Sequence, residues 1–203
     1  MRRFVLLVHR VPRNGAFTLN DLAGGAGRMD EVARAVSTAF TISNDLRRDT
    51  HMVLLFGGDG PSAAGRRITV SGPRVRYLNP DERSTAALLK NALVRAVDFP
   101  REFESSPGIV VGPVDVREEL RKVAADPDGV WLTEGGVPWR SRRPSRPPAT
   151  FFLSDPYEPT EEEKTILVEA HLPPVSVGPR SLRTSQVVDI VHHELDLAEA
   201  GAG

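Results

Sequence analysis

An α/β domain, a mostly parallel sheet with helices packed on its faces, is what this sequence predicts, and three observations carry the prediction. Residues 4–8 are a continuous apolar run with β-branched members, the pattern of a strand buried on both faces, and residues 51–56 are a second strand of the buried type. Met29, Val32, Ala33, Val36 and Phe40 recur at helical spacing, so a helix with one core face lies between those runs. From residue 109 onward, strand-like and helix-like segments alternate, the rhythm of β-α-β units.

In chain order, the first strand leads into a long polar loop, 14–30, rich in glycine. Loops of that length in compact domains are usually functional or disordered. The strand over 51–56 closes on Gly57-Gly58-Asp59-Gly60-Pro61, a plain turn, since both the P-loop lysine and the dinucleotide spacing are missing. Short strands are expected at 68–70 and 75–78, around Gly72-Pro73. Asn79 then caps a helix running to about Val97, with Pro80 at its first position and Glu82 three residues past the cap. Residues 99–107 are connector.

Strands at 109–111 and 129–133 flank a helix at 114–124. Residues 137–149 carry Pro138, Pro144, Pro147 and Pro148 among arginines and read as an exposed loop, either a solvated linker or an RNA contact. A strand at 150–153 precedes a helix begun by Thr160, with Glu161, Glu162 and Glu163 in its first turn, where acids complement the dipole. The last strand is 175–177. Ser181 opens the final helix, whose stripe is Val187, Ile190, Val191 and Leu195, and residues 197–203 form a flexible tail.

At 203 residues the chain has room for one domain with a substantial core, spanning 1–203. The net charge of −1 does not preclude RNA, because Arg and Lys cluster locally. The sequence has no cysteine, which removes thiolate catalysis, disulfides and cysteine metal sites. The apolar run after Met1-Arg2-Arg3 stops at His9-Arg10, too short for a signal peptide, and no run reaches the roughly 20 residues a membrane span needs. The expected product is soluble and cytoplasmic.

Two places exceed what folding requires. Around the helix start after Tyr77, Asp81, Arg83, Ser84 and Thr85 crowd a turn that capping alone does not explain, beside N–H groups that attract anions. In the C-terminal half, three strand ends deliver polar or glycine loops: Leu132-Thr133-Glu134-Gly135-Gly136, Leu153-Ser154-Asp155-Pro156 and Val177-Gly178-Pro179-Arg180-Ser181-Leu182. Ligands of open α/β sheets bind at the carboxyl ends of strands, so these loops are candidates for one pocket; ordinary strand-to-helix loops are the alternative. His192 and Asp196 are a helical i, i+4 pair without a third metal ligand, so a surface or helix-terminal role is expected and no metal is. His9, His51 and His171 read as packing or surface residues.

The segments 18–30, 74–92, 177–182 and 190–196, above all Val75-Arg76-Tyr77-Leu78-Asn79-Pro80-Asp81-Glu82-Arg83-Ser84-Thr85, resemble the archaeal tRNA pseudouridine-54 N1-methyltransferase family of the SPOUT superfamily. The resemblance implies a sheet with a C-terminal deep trefoil knot, a homodimer, S-adenosylmethionine as cofactor and tRNA as partner. By motif position it implies cofactor contacts from Leu132, Ser154, Val177, Gly178, Pro179, Arg180, Ser181, Leu182 and Val187. Asp81 is the candidate base or base-reader and Arg83 the candidate to stabilise the developing anion or grip phosphate. Asn20, Asp21, Arg28, Asn79 and Ser84 are the RNA-facing candidates. The sequence departs from the family in two places: Ser154 stands where glycine is usual, and no cysteine lies near Val187. A diverged knotted binder of another RNA, such as ribosomal RNA, or one without turnover, is the competing reading.

Overall fold

The computed structural model describes residues 1–57, 64–141 and 149–201. Most of the glycine turn after the second strand and most of the Pro/Arg loop lie outside them. The elements are β1 (Arg2–Val8), α1 (Met29–Phe40), β2 (Thr50–Phe56), β3 (Ala64–Ser71), α2 (Glu82–Arg95), β4 (Phe103–Ser106), β5 (Ile109–Asp115), α3 (Val116–Ala124), β6 (Gly129–Pro138), β7 (Thr150–Ser154), α4 (Glu161–Glu169), β8 (Pro174–Ser176) and α5 (Thr184–Glu199).

One sheet runs in the order β4-β5-β3-β2-β1-β7-β6-β8. The pairs β2·β1, β1·β7, β7·β6 and β6·β8 are parallel, whereas β3 returns antiparallel on β2 and carries β5 and β4, also antiparallel. The central strand β1 is apolar on both faces, and each face has its own core. Phe4, Leu6 and Val8 pack with α1, α2 and α5, while Val5 and Leu7 pack with α3 and α4 through Leu120, Ile166 and Leu167. Helices therefore cover both faces, the arrangement that unbroken apolar strands require.

Several boundaries differ from the sequence reading, each for a local reason. Residues 75–78 are not a strand: Val75 and Leu78 are buried anchors, and Tyr77 between them turns the chain at φ +61°. The cap of α2 is Asp81 rather than Asn79; the Asp81 carboxylate accepts the Ser84 N–H at 2.7 Å, and the Asn79 carbonyl accepts from the Thr85 hydroxyl. Glu82 consequently sits at the first helical position and is free to reach another helix. Residues 103–106, expected as connector, add the edge strand β4. The final helix begins at Thr184, not Ser181, so 177–183 is an open loop, and residues 197–199, expected in a tail, complete its last turn. Its buried line is Val188, Val191, His192 and Leu195. Val137 and Pro138 belong to β6, followed by a 3₁₀ turn at Trp139–Ser141. Thr160 caps α4 as expected, with the full reciprocal capping box to Glu163. No helix among the described residues is long and apolar enough to cross a membrane.

Candidate functional site

Because β7, β6 and β8 are parallel neighbours, their carboxyl ends open on the same side of the sheet. The shift in register between β6 and β8 gathers Thr133 to Gly136 into a bulge beside β8. Gly136 is required there, since a Cβ would stand 2.4 Å from the Val175 nitrogen. The result is a cavity of about 480 Å³. Leu132 from β6, Ser154 from β7, and Val177, Gly178, Arg180, Ser181 and Leu182 from the loop after β8 all line it, joined by Val187 of α5. Of the nine candidates for this region, only Pro179 is outside the lining. The volume falls within the usual range for small-molecule sites.

Beyond those nine, the wall takes in Glu31 and Tyr157, which the sequence does not single out, together with Asp155 of the second strand-end loop and Arg28, an RNA-facing candidate. The N-cap and first turn of α1 supply Arg28 and Glu31 to the cavity, and Asp155 and Tyr157 continue the wall from Ser154. Arg28 adopts a left-handed backbone, φ 69°, and its guanidinium bonds Asp30 (2.9 and 3.0 Å) and Glu31 (3.2 Å). Glu31 is only 3% exposed, and its Oε2 has no hydrogen-bond partner among the described residues. An unpartnered buried carboxylate oxygen is costly unless a donor reaches it.

The second patch lies at the start of α2. Arg83 donates to the Asn20 side-chain oxygen at 2.9 Å, uniting two segments 63 residues apart in sequence. Asp21 turns the 18–28 loop by accepting the Gly25 and Gly24 N–H groups at 2.7 and 2.9 Å, and those bonds hold its carboxyl below the usual range. Asp81 is likewise held low, chiefly by the Ser84 N–H. Ser84 also donates its hydroxyl to the Asp81 carbonyl, while Asn79 is exposed just before the turn.

The two patches are connected. Arg34 on α1 pairs with Glu82 of α2 at 2.6 Å and with Glu31 at 2.6 Å. Glu82, Arg34, Glu31 and Arg28 thus form a line of alternating charge from the Asp81–Arg83 turn to the cavity. Arg34 was not singled out in the sequence because its meaning depends on helix packing.

The histidines depart most from expectation. His192 is not at the surface: it is 2% exposed, edge-on to Phe4, with Nε2 3.1 Å from the Ala39 carbonyl and Nδ1 3.0 Å from an Arg2 guanidinium nitrogen. Burial, then the charges of Arg47 and Arg2, lower its pKa to about 4, so the ring is neutral. Its neighbour Asp196 pairs with Arg47 and Arg2, both at 2.6 Å, which accounts for that i, i+4 pair structurally. His9 is also no bystander, lying between the Asp155 and Glu163 carboxylates. Among the described residues no group of three His, Asp or Glu side chains is placed to hold a metal.

Residues 1–200 match the model of a family described as putative SAM-dependent RNA methyltransferases. The chain belongs to this family. Relatives named tRNA (pseudouridine(54)-N(1))-methyltransferase include those of Methanosarcina acetivorans, 40% identical over 207 residues, and Methanosarcina mazei, 37% identical over 206 residues. Each alignment covers 100% of this chain and 94% of the relative. The fold resembles that of Archaeoglobus fulgidus Nep1 bound to S-adenosylhomocysteine, with a TM-score of 0.64 at 15% identity, covering 98% of this chain and 99% of the other. The family match and the fold likeness extend over nearly the whole chain, antiparallel β3–β5 extension included.

Proposed function

We propose that this protein is an S-adenosylmethionine-dependent tRNA methyltransferase that methylates N1 of pseudouridine at position 54. The observation that carries the reading is the link between its two patches: Arg34 ties the Asp81–Arg83 turn to the strand-end cavity, so a nucleoside at the turn and a methyl donor in the cavity would be neighbours. The cavity suits the donor. It combines an apolar lining from Leu132, Val177, Leu182 and Val187 with the Glu31 carboxylate on its wall, an acceptor for a ribose hydroxyl, an ammonium or an adenine amino group. Ser154 stands at the position where the family usually has glycine, but its φ is not positive, so a serine side chain is accommodated without strain.

The chemistry that S-adenosylmethionine supplies when bound is an electrophilic methyl, passed to N1 in one displacement in which the N1–carbon bond forms, the carbon–sulfur bond breaks and the N1 proton leaves. No covalent enzyme intermediate is needed, in keeping with a chain that has no cysteine. The protein's task is to take the base from its stack and hold it in line. A carboxylate held below its usual range is a weak base but a firm acceptor. Asp81 therefore reads and orients the N1–H, and the proton passes to solvent. Arg83, oriented by Asn20, stabilises the developing anion on the base or holds a phosphate. Asp21 shapes the loop that presents Asn20, and Asn79 and Ser84 frame the same turn; Arg28 stands on the cavity wall, at the far end of the charge line from this patch. On this reading the chain works in the cytoplasm as a homodimer, as one domain with α5 in a trefoil knot. The family resemblance supports each of these points.

Mass spectrometry of nucleosides from the separated RNA classes, after incubating total RNA that contains unmodified tRNA with labelled S-adenosylmethionine, tests the reading. The expected product is N1-methylpseudouridine from position 54. Label confined to ribosomal RNA, or no label in any RNA, overturns it.

A further inference from the structure

One ring joins three elements behind the cavity. His9 follows β1; its N–H donates to Asp155 Oδ2 at 2.8 Å, its Nδ1 is 2.7 Å from Asp155 Oδ1, and its Nε2 is 3.0 Å from Glu163 Oε2. An ionised carboxylate only accepts, so a ring bonded to one on each side must donate from both nitrogens and carry both protons. A neutral ring would face one carboxylate with a lone pair. The side chains are largely enclosed, with 14% exposure for His9, none for Asp155 and 11% for Glu163, so water compensates little for a lost bond.

Each partner also builds the cavity or its support. Asp155 accepts the Tyr157 N–H at 3.1 Å, and the Tyr157 ring lies 3.9 Å from the Arg10 guanidinium. Glu163 closes the cap of α4, accepting the Thr160 N–H at 2.8 Å. The Thr184 hydroxyl at the start of α5 donates to the Ser154 carbonyl at 2.9 Å. The segment from Ser154 to Tyr157, which lines the cavity, is therefore held at Ser154 by α5 and at Asp155 by His9.

We infer that His9, as an imidazolium, is a positioning residue for the cofactor cavity, and that loss of its ring proton releases the 154–157 wall and weakens binding. The inference rests on the reading of the cavity as the S-adenosylmethionine site. The charged groups facing the ring are Asp155 from the end of β7 and Glu163 from α4; the next charge along the chain, Arg10, lies over the Tyr157 ring. Burial opposes the charged ring, but the two carboxylates outweigh it and raise the pKa to about 9. At neutral pH the clamp is closed.

The experiment is calorimetric titration of the full chain with S-adenosylhomocysteine from pH 7 to pH 10, for wild type, His9→Asn and Gly178→Leu, with circular dichroism confirming the fold. The ligand's own amine titrates alike in every protein, so the reading is the difference between profiles. The expectation is that His9→Asn binds about tenfold more weakly at pH 7.5 and that its deficit closes as the wild type weakens through pH 9. His9→Gln serves if His9→Asn does not fold. A folded variant with wild-type affinity and profile overturns the positioning role. Wild-type binding by Gly178→Leu overturns the cavity reading instead, so the two failures are told apart.

Discussion

Two histidines perturbed in opposite directions give the pH dependence of stability a shape that can be taken apart. His192 is buried neutral with a pKa of about 4, against 6.5 in an unfolded chain. Its folded value is the lower, so the unfolded state binds the extra proton, and stability is lost as pH falls from above 6.5 toward 4. Each pH unit between those values is worth about 1.4 kcal/mol, which puts the loss between pH 7 and pH 5 at about 2 kcal/mol, or roughly 4–8 °C in Tm for a chain of this size. His9 has the higher folded value, about 9, so its contribution is complete below pH 6.5 and is lost as pH rises toward 9. About 2 kcal/mol disappears between pH 6.5 and pH 8.5. From these two residues, stability peaks near pH 6.5. Urea unfolding at pH 5, 7 and 8.5 measures it, with His192→Gln as the decisive comparison, because an amide can donate to the Ala39 carbonyl and accept from Arg2 without titrating. The stability difference between wild type and His192→Gln should shift by about 2 kcal/mol in the variant's favour on going from pH 7 to pH 5. The same difference at both pH values would refute the neutral, buried assignment, as would an NMR titration of His192 with a midpoint near 6.5.

Two further outcomes bear on the site. Gly178→Leu should abolish measurable S-adenosylmethionine binding while leaving Tm within a few degrees. The added Cβ meets nothing nearer than the Leu182 side chain at 3.7 Å, so the larger side chain fills cavity and not backbone; unchanged affinity would move the cofactor elsewhere. Asp81→Asn keeps a good cap on α2 while discarding the charge, so the fold and cofactor affinity should persist while single-turnover methylation slows at least tenfold. Wild-type turnover in that variant would leave Asp81 with capping alone.

The capping turn shows how legibility divides between sequence and structure. The surplus of polar residues after Tyr77 was visible in the sequence, and so was its position at a helix start, because capping is decided by a few neighbours. The cap itself was misplaced by two residues, since Asn79 and Asp81 are both suitable and only the turn made by Tyr77 at φ +61° selects between them. That choice freed Glu82 from a capping role to pair with Arg34, a partner 48 residues away. Likewise Ser181 looked like a helix start, yet the loop stays open to Thr184, and the open residues line the cavity.

Apolar runs, helical stripes and the three loops at strand ends were determined by the sequence alone, because side-chain periodicity and turn chemistry act over a few residues. The antiparallel return of β3, the burial of His192 and the meeting of His9 with Asp155 and Glu163, 146 and 154 residues away, were decided only by the tertiary structure. A lone histidine in a sequence carries no sign of its partners. Strand order and register set which carboxylates it meets, and with them its charge.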